Sequence, residues 1–108
     1  INDERFAENY VNFKAGNKPR SQIELKLKLI GVDADIISRV CDEFYEDNSD
    51  IELEQAKAFV EKKHIDIEIA DYKELQKVIA ALYRKGFSMD IINKTLDSKG
   101  LFLDIIDN

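Results

Sequence analysis

An internal repeat at a spacing of 55 residues constrains this chain more than any other feature of its sequence. Residues 23–41 align with residues 78–96, and both copies contain a helix-like stretch, a glycine, an apolar residue, a short polar turn and a second helix-like stretch. One more helix-like segment precedes each copy, so the repeat predicts two three-helix units. The aligned pairs include Leu27 with Leu82, Gly31 with Gly86, Asp35 with Asp90 and Ile36 with Ile91.

Glycine and proline punctuate the chain sparingly. One proline and four glycines in 108 residues are too few for the turns of a β-sandwich or barrel, which favours an all-α fold. Each glycine follows a stretch with helical periodicity, where a left-handed C-cap is expected. The four positions are Gly16, Gly31, Gly86 and Gly100.

Six helices follow from the apolar periodicity and the start signals. We expect the first over about 3–15 and the second over 19–30, with Pro19 as its first residue. The third starts near residue 33 and the fourth covers about 51–63. Asp71 is expected to cap the fifth helix, and Ser88 the sixth. Residues 64–70 are expected to form either an extended connection or a continuation of the fourth helix.

The second segment is ambiguous when taken alone. Apolar and charged residues alternate strictly over 23–29, which is typical of a half-buried strand. The aligned segment that begins at Val78 does not alternate and has a helical composition, so we predict that both are helices. The buried stripe would then be Ile23, Leu27 and Ile30, widened by Leu25 and Leu29.

The expected core follows the same periodicity. Phe6, Tyr10 and Phe13 share one face of the first helix. Phe6, Ile23, Leu27, Ile36 and Ile37 are assigned to the core rather than to a site. Tyr83 joins Leu75, Val78, Ile79 and Leu82 on the expected buried face of the fifth helix.

The expected domain organisation is a three-helix repeat over 1–47, a second over 48–100, and an apolar tail over 101–108. Tandem repeats of this kind stack into elongated, curved helical arrays, and two units are few for such an array. The chain also opens without an initiator methionine, so further sequence is expected upstream.

Chemistry-bearing residues are scarce. His64 is the only histidine and fits a surface position, whereas Cys41 lies on an apolar helix stripe. A single cysteine excludes an internal disulfide and fits a reducing compartment. The acidic residues over 42–54 lack the glycine and ligand spacing of an EF-hand loop. We therefore predict no catalytic residue, cofactor, metal site or small-molecule substrate. In addition, no segment reaches the ~20 consecutive apolar residues that a membrane-spanning helix needs.

Charge is spread unevenly along the chain. Residues 1–31 carry a net charge of +2, residues 32–71 carry −9, and residues 72–108 carry +1. The helix–glycine–helix elements resemble a helix-turn-helix, but the second helix of the first copy is acidic, which disfavours reading of the DNA major groove.

Two motifs resemble the RecX regulatory proteins. Asp3-Glu4-Arg5-Phe6-Ala7-Glu8, followed by Tyr10-Val11, is similar to the opening of the middle repeat of that family. Leu82-Tyr83-Arg84-Lys85-Gly86-Phe87-Ser88, followed by Asp90-Ile91-Ile92, is similar to its last repeat. The resemblance covers roughly residues 1–97 in the right order, and it implies the second and third of three repeats.

The resemblance implies a non-enzymatic, cytoplasmic regulator. Such proteins bind the RecA recombinase filament and generally suppress its ATPase and strand exchange, which affects DNA repair and the SOS response. The implied partner is RecA, with any DNA contact weak or indirect and no membrane contact. The alternative is an autonomous DNA-binding helical module, and a small helical enzyme is the third hypothesis. The residues expected to bind the partner are basic: Arg5, Lys14, Lys18, Arg20, Lys26, Lys28, Arg84 and Lys85.

Overall fold

The computed structural model describes residues 2–96, and six α-helices with no strand account for the regular structure of that range. The all-α prediction is confirmed for these residues. The six helices are α1 (Asp3–Lys14), α2 (Arg20–Ile30), α3 (Ala34–Asp47), α4 (Ile51–Lys62), α5 (Tyr72–Lys85) and α6 (Met89–Leu96). Gly100 and the expected apolar tail lie outside the described residues.

The chain divides into two compact units, one ending at Glu52 and the other beginning at Leu53. In the first unit, α1 packs against α3 and α2, and α2 also packs against α3. In the second unit, residues of α4, α5 and α6 share one apolar core. None of the described helices is both long and apolar enough to cross a membrane.

The capping predictions are confirmed at four positions. Gly31 and Gly86 follow α2 and α5 in the left-handed region, with φ values of 109° and 115°. The Asp71 carboxylate accepts the Glu74 backbone N–H at 2.8 Å. The Ser88 hydroxyl accepts the Ile91 N–H at 3.2 Å.

Two predictions about helix ends are wrong. Gly16 does not adopt a left-handed conformation, and the C-cap of α1 is Ala15 with a right-handed φ of −60°. Pro19 is not the first helical residue of α2 but its N-cap, with an extended ψ of 157°. The fixed φ of proline suits that position equally well, since the N-cap needs no N–H of its own.

The core of the first unit runs along small side chains of α1. Ala7, Val11 and Ala15 are fully buried, whereas Phe6 is 42% exposed and Phe13 is 76% exposed. The assignment of Phe6 to the core is therefore wrong. Small residues face α3 because they let the two helices approach closely, which leaves the aromatic side chains on the outside.

The strand-like alternation of α2 is resolved as a helix with two apolar faces. Ile23 and Leu27 are buried, as predicted. Leu25 and Leu29 are exposed by 56% and 73%, so they do not widen the buried stripe, and the assignment of Ile30 to that stripe is also wrong because it is 48% exposed. On α3, Ile37, Val40 and Cys41 are buried, and Ile36 packs against them while remaining partly exposed.

The second unit buries most of the residues that its periodicity selects. The cluster consists of Ala56, Val60, Val78, Leu82, Phe87, Ile92 and Leu96. Tyr83 is an exception, with 61% of its surface exposed.

The segment 64–70 is neither extended throughout nor a continuation of α4. His64 takes a left-handed φ of 57°, so the chain turns away from the direction of α4 at this residue. The carbonyl of Asp66 then accepts hydrogen bonds from the N–H groups of Ile69 and Ala70. The segment is therefore a compact turn between α4 and α5.

Candidate partner-binding surface

The eight basic candidates lie in both units. Arg5 and Lys14 are on α1, Lys18 precedes α2, and Arg20, Lys26 and Lys28 are on α2. Arg84 and Lys85 occupy the last turn of α5, in the second unit. Those with exposed side chains are Arg5, Lys18, Lys26, Lys28 and Arg84, whereas Lys14, Arg20 and Lys85 are partly buried.

Arg20 is engaged inside the first unit. Its guanidinium contacts Glu24 on the same helix at 3.2 Å and Asp42 on α3 at 2.5 Å. It also lies over the ring of Tyr45, 5.4 Å from the centroid. Charge-assisted pairs of this kind join α2 to α3.

The electrostatics of Arg20 follow from this geometry. Partial burial opposes its charge, but hydrogen bonds to Asp42 and Glu24 outweigh that effect and raise the pKa of the guanidinium above its ordinary value. Burial raises the pKa of the neighbouring Tyr45 hydroxyl, and the negative charge of Glu52 raises it further. Burial also raises the pKa of the Cys41 thiol to about 11, so the thiol stays protonated and unreactive at neutral pH.

Several other candidates complement helix dipoles. Lys14, Lys28, Arg84 and Lys85 each lie in the last turn of a helix, where the partial negative charge of the carbonyl end favours a cation. The Lys14 ammonium also lies 5.4 Å from the centroid of the Phe13 ring. These side chains can therefore stabilise the helices that carry them and still bind a partner, because their charged ends reach solvent.

The outer face of α2 combines charge with apolar surface. Leu25 and Leu29 are four residues apart and share a face on the side of the helix opposite Ile23 and Leu27. Lys26 and Lys28 lie next to them in sequence and are exposed. We define Leu25, Lys26, Lys28 and Leu29 as the α2 outer face, where two exposed cations lie beside two exposed leucines.

The sequence contained a signal for the exposed leucines. A helix that alternates over seven residues must place apolar side chains on two opposite faces, and only one face can meet the core of a three-helix unit. The expectation that Leu25 and Leu29 widen the buried stripe overlooked this constraint.

The described part of the chain contains no set of side chains suited to binding a metal ion. No group of three or more His, Cys, Asp or Glu side chains there has a geometry that could hold a metal ion.

Sequence comparison identifies the two units separately. Residues 2–40 match the second three-helix domain of RecX, and residues 50–96 match the third. Relatives named Regulatory protein RecX occur in Bacillus pumilus, Lactococcus lactis and Caldanaerobacter subterraneus, and they are 35%, 29% and 31% identical to this chain.

The matches cover 89%, 96% and 90% of this chain, but only 36%, 39% and 46% of the respective relatives. The chain thus spans less than half of the length of these three proteins. No solved structure matches it. Two domain matches in the family order, each on one of the two compact units, establish that the chain belongs to the RecX family of regulatory proteins.

Proposed function

We propose that this protein is a non-enzymatic cytoplasmic regulator that binds the RecA recombinase filament and inhibits its ATPase and strand exchange, within DNA repair and the SOS response. The observation that carries the proposal is the ordered match to the second and third three-helix domains of RecX. The relatives are named regulatory proteins, and regulation by binding requires no catalytic group.

The surface chemistry supports a protein partner. Exposed cations beside exposed leucines on the α2 outer face provide both electrostatic attraction and apolar area, the combination found in protein–protein interfaces. We propose that Arg5, Lys18, Lys26, Lys28 and Arg84 contact the partner, with Lys14 and Lys85 at the margins. Arg20 instead holds α2 against α3, because its guanidinium pairs with Glu24 and Asp42.

An autonomous DNA-binding module is the competing hypothesis. Its helix-turn-helix equivalent would present α3, which is capped by Asp33 and exposes Asp35, Asp42 and Glu43. Like charge would repel the phosphate backbone there, and phosphate contacts supply most of the affinity for DNA. The charge of α3 therefore favours the RecA hypothesis.

Co-sedimentation with RecA separates the two hypotheses. Full-length protein is mixed with RecA assembled on single-stranded DNA, with the DNA alone, and with RecA alone. The proposal expects retention on the filament and weak retention on bare DNA. Tight binding to bare DNA that weakens steeply with salt, without preference for the filament, would support the DNA-binding module instead.

A further inference from the structure

A groove between α1 and α3 is lined by none of the basic candidates. It lies entirely within the first unit and has a volume of about 240 Å³. Its lining combines apolar, amide and acidic side chains from both helices and the residue that follows α3. The lining residues are Glu8, Val11, Asn12, Val40, Glu43, Phe44, Asp47 and Asn48.

Hydrogen-bond acceptors predominate on the rim of the groove. Glu8, Glu43 and Asp47 are exposed carboxylates, and none takes part in an ion pair of the described chain. The Asn12 amide nitrogen donates to the Glu8 carbonyl at 2.8 Å, and the Asn48 amide nitrogen donates to the Phe44 carbonyl at 2.9 Å. Each amide keeps its oxygen as an acceptor and its second N–H as a donor, so the three carboxylates make acceptors outnumber donors on the rim and favour a ligand rich in donors.

The acidic rim works against the stability of α3. Glu43 and Asp47 are four residues apart on one helix, and like charges at that spacing repel. Asp47 also lies in the last turn of α3, which contains no basic residue, at the end of the helix where a negative charge is unfavourable. Folding of α3 therefore does not explain these carboxylates, whereas a cationic ligand would relieve both repulsions.

The floor and the size of the groove restrict the ligand further. Val11 and Val40 are buried beneath the groove, whereas Phe44 packs against the same core and remains partly exposed, so Phe44 is the apolar side chain that a ligand can reach. The volume is below the roughly 300–1,000 Å³ of sites for drug-sized molecules and suits one or two inserted side chains.

We propose that this groove binds a short basic segment of a protein partner. One apolar side chain of that segment rests on Phe44 at the bottom of the groove, and lysine or arginine side chains on either side of it pair with the rim carboxylates. The inference goes beyond the proposed function, since none of the cations assigned to the filament lines the groove and the groove requires the opposite charge in its ligand.

Two other occupants fit less well. Nucleic acid would bring phosphates to a rim that carries three carboxylates. A second copy of this chain would need about 800 Å² per partner for a stable interface, far more than a groove for one or two side chains provides.

A defined peptide provides the direct test. The probe is acetyl-Gly-Lys-Lys-Leu-Lys-Lys-Gly-amide, titrated into ¹⁵N-labelled protein while backbone amide shifts are followed by NMR. The matched peptide replaces leucine with serine at constant charge. The groove variant is Glu43→Gln/Asp47→Asn. The control variant is Glu46→Gln/Asp50→Asn, which removes the same charge from exposed residues outside the groove.

The proposal expects shifts concentrated at the lining residues, and affinity about fivefold lower for the serine peptide and for the groove variant. The control variant should bind within about twofold of the unmodified protein. Shifts spread evenly over acidic residues and insensitive to the leucine would overturn the proposal, as would no binding. Groove shifts that depend on protein concentration without peptide would assign the groove to a second copy instead. If the double variant alters amide shifts outside the groove, Glu8→Gln on α1 takes its place.

Discussion

The Glu52 carboxylate accepts a hydrogen bond from the backbone N–H of Arg20, with 3.0 Å between Oε2 and the nitrogen. Pro19 is the N-cap of α2 and provides no side-chain acceptor for the first turn of that helix. A residue 32 positions further along the chain, in the first turn of α4, supplies the missing acceptor. The beginning of α2 is therefore satisfied by a tertiary contact rather than by a local cap.

Removing this distant cap should destabilise the first unit. Glu52→Ala is expected to lower the free energy of unfolding by about 1 kcal/mol, the usual effect of losing an N-cap acceptor. Urea unfolding followed by circular dichroism measures it. Glu54→Ala is the control, because Glu54 is exposed on the same helix and makes no such contact. Equal stabilities for the two variants would contradict the capping role.

Arg20 should be more important for the stability of the first unit than Arg39, whose ion pair is about half exposed. Arg20→Ala removes contacts to Glu24 and Asp42 as well as the packing over Tyr45, with an expected loss of about 1–2 kcal/mol. Arg39→Ala removes one half-exposed pair to Glu4, with an expected loss of about 0.5 kcal/mol. A double-mutant cycle of Arg20 with Asp42 isolates the shared term, and a coupling near zero would contradict the account.

Two glycines provide a matched test of backbone conformation. Gly31→Ala should destabilise the protein by about 1–2 kcal/mol, because an L side chain is strained at its φ of 109° even though no atom blocks a Cβ there. Gly16→Ala should leave stability unchanged or slightly higher, since its φ is not left-handed and the space around it is open. Thermal unfolding of the two variants checks both signs, and a destabilised Gly16→Ala would refute the second.

The repeat and the caps made much of the fold predictable. Gly31, Gly86, Asp71 and Ser88 each act through a neighbour within five residues, so a local pattern was sufficient to place them. Gly16 shows the limit of such patterns, because a glycine after a helix permits a left-handed cap without requiring one.

Burial was less predictable on α1. Two apolar stripes run along that helix, one of small residues through Ala7 and Val11 and one of aromatic residues through Phe6 and Phe13. Periodicity cannot rank them, since both repeat at helical spacing. Close approach of α3 selects the small stripe, and that depends on the partner helix rather than on α1.

The candidate surface was predictable only in composition. The sequence identifies Lys26 and Lys28 as part of a basic stretch around the first and second helices, and both are exposed in the structure. The sequence does not show that Asp42 and Glu52 converge on Arg20, because those contacts join residues that are 22 and 32 positions apart.

Alkaline pH should destabilise the first unit through Cys41. Burial raises its folded-state pKa from 9.0 to about 11, so the folded protein keeps a proton that the unfolded chain releases. The stabilisation is complete below pH 9 and is lost as the pH rises to 11, by roughly 2–3 kcal/mol. Cys41→Ala should be less stable at neutral pH but should show a shallower decline over that range. Parallel pH profiles for the two proteins would contradict this prediction.

The α2 outer face should be needed for binding rather than for folding. Lys26→Glu/Lys28→Glu reverses two exposed charges and is expected to lower stability by no more than about 1 kcal/mol, the part due to Lys28 arising from its place in the last turn of α2. Retention on RecA filaments should fall by about tenfold or more, because the attraction that guides docking between these cations and the partner becomes a repulsion between like charges. Lys73→Glu/Lys77→Glu, exposed on α5 and outside the proposed contacts, is the charge-matched control. Equal retention of both variants would remove the α2 outer face from the interface.

The most direct test of the regulatory role is ATP hydrolysis by RecA on single-stranded DNA, measured with increasing amounts of the full-length protein. The account predicts a dose-dependent fall in the hydrolysis rate, with the Lys26→Glu/Lys28→Glu variant less effective and the Lys73→Glu/Lys77→Glu variant as effective as the unmodified protein. An unchanged rate at several-fold excess over RecA would contradict the proposal that this member of the RecX family inhibits the filament.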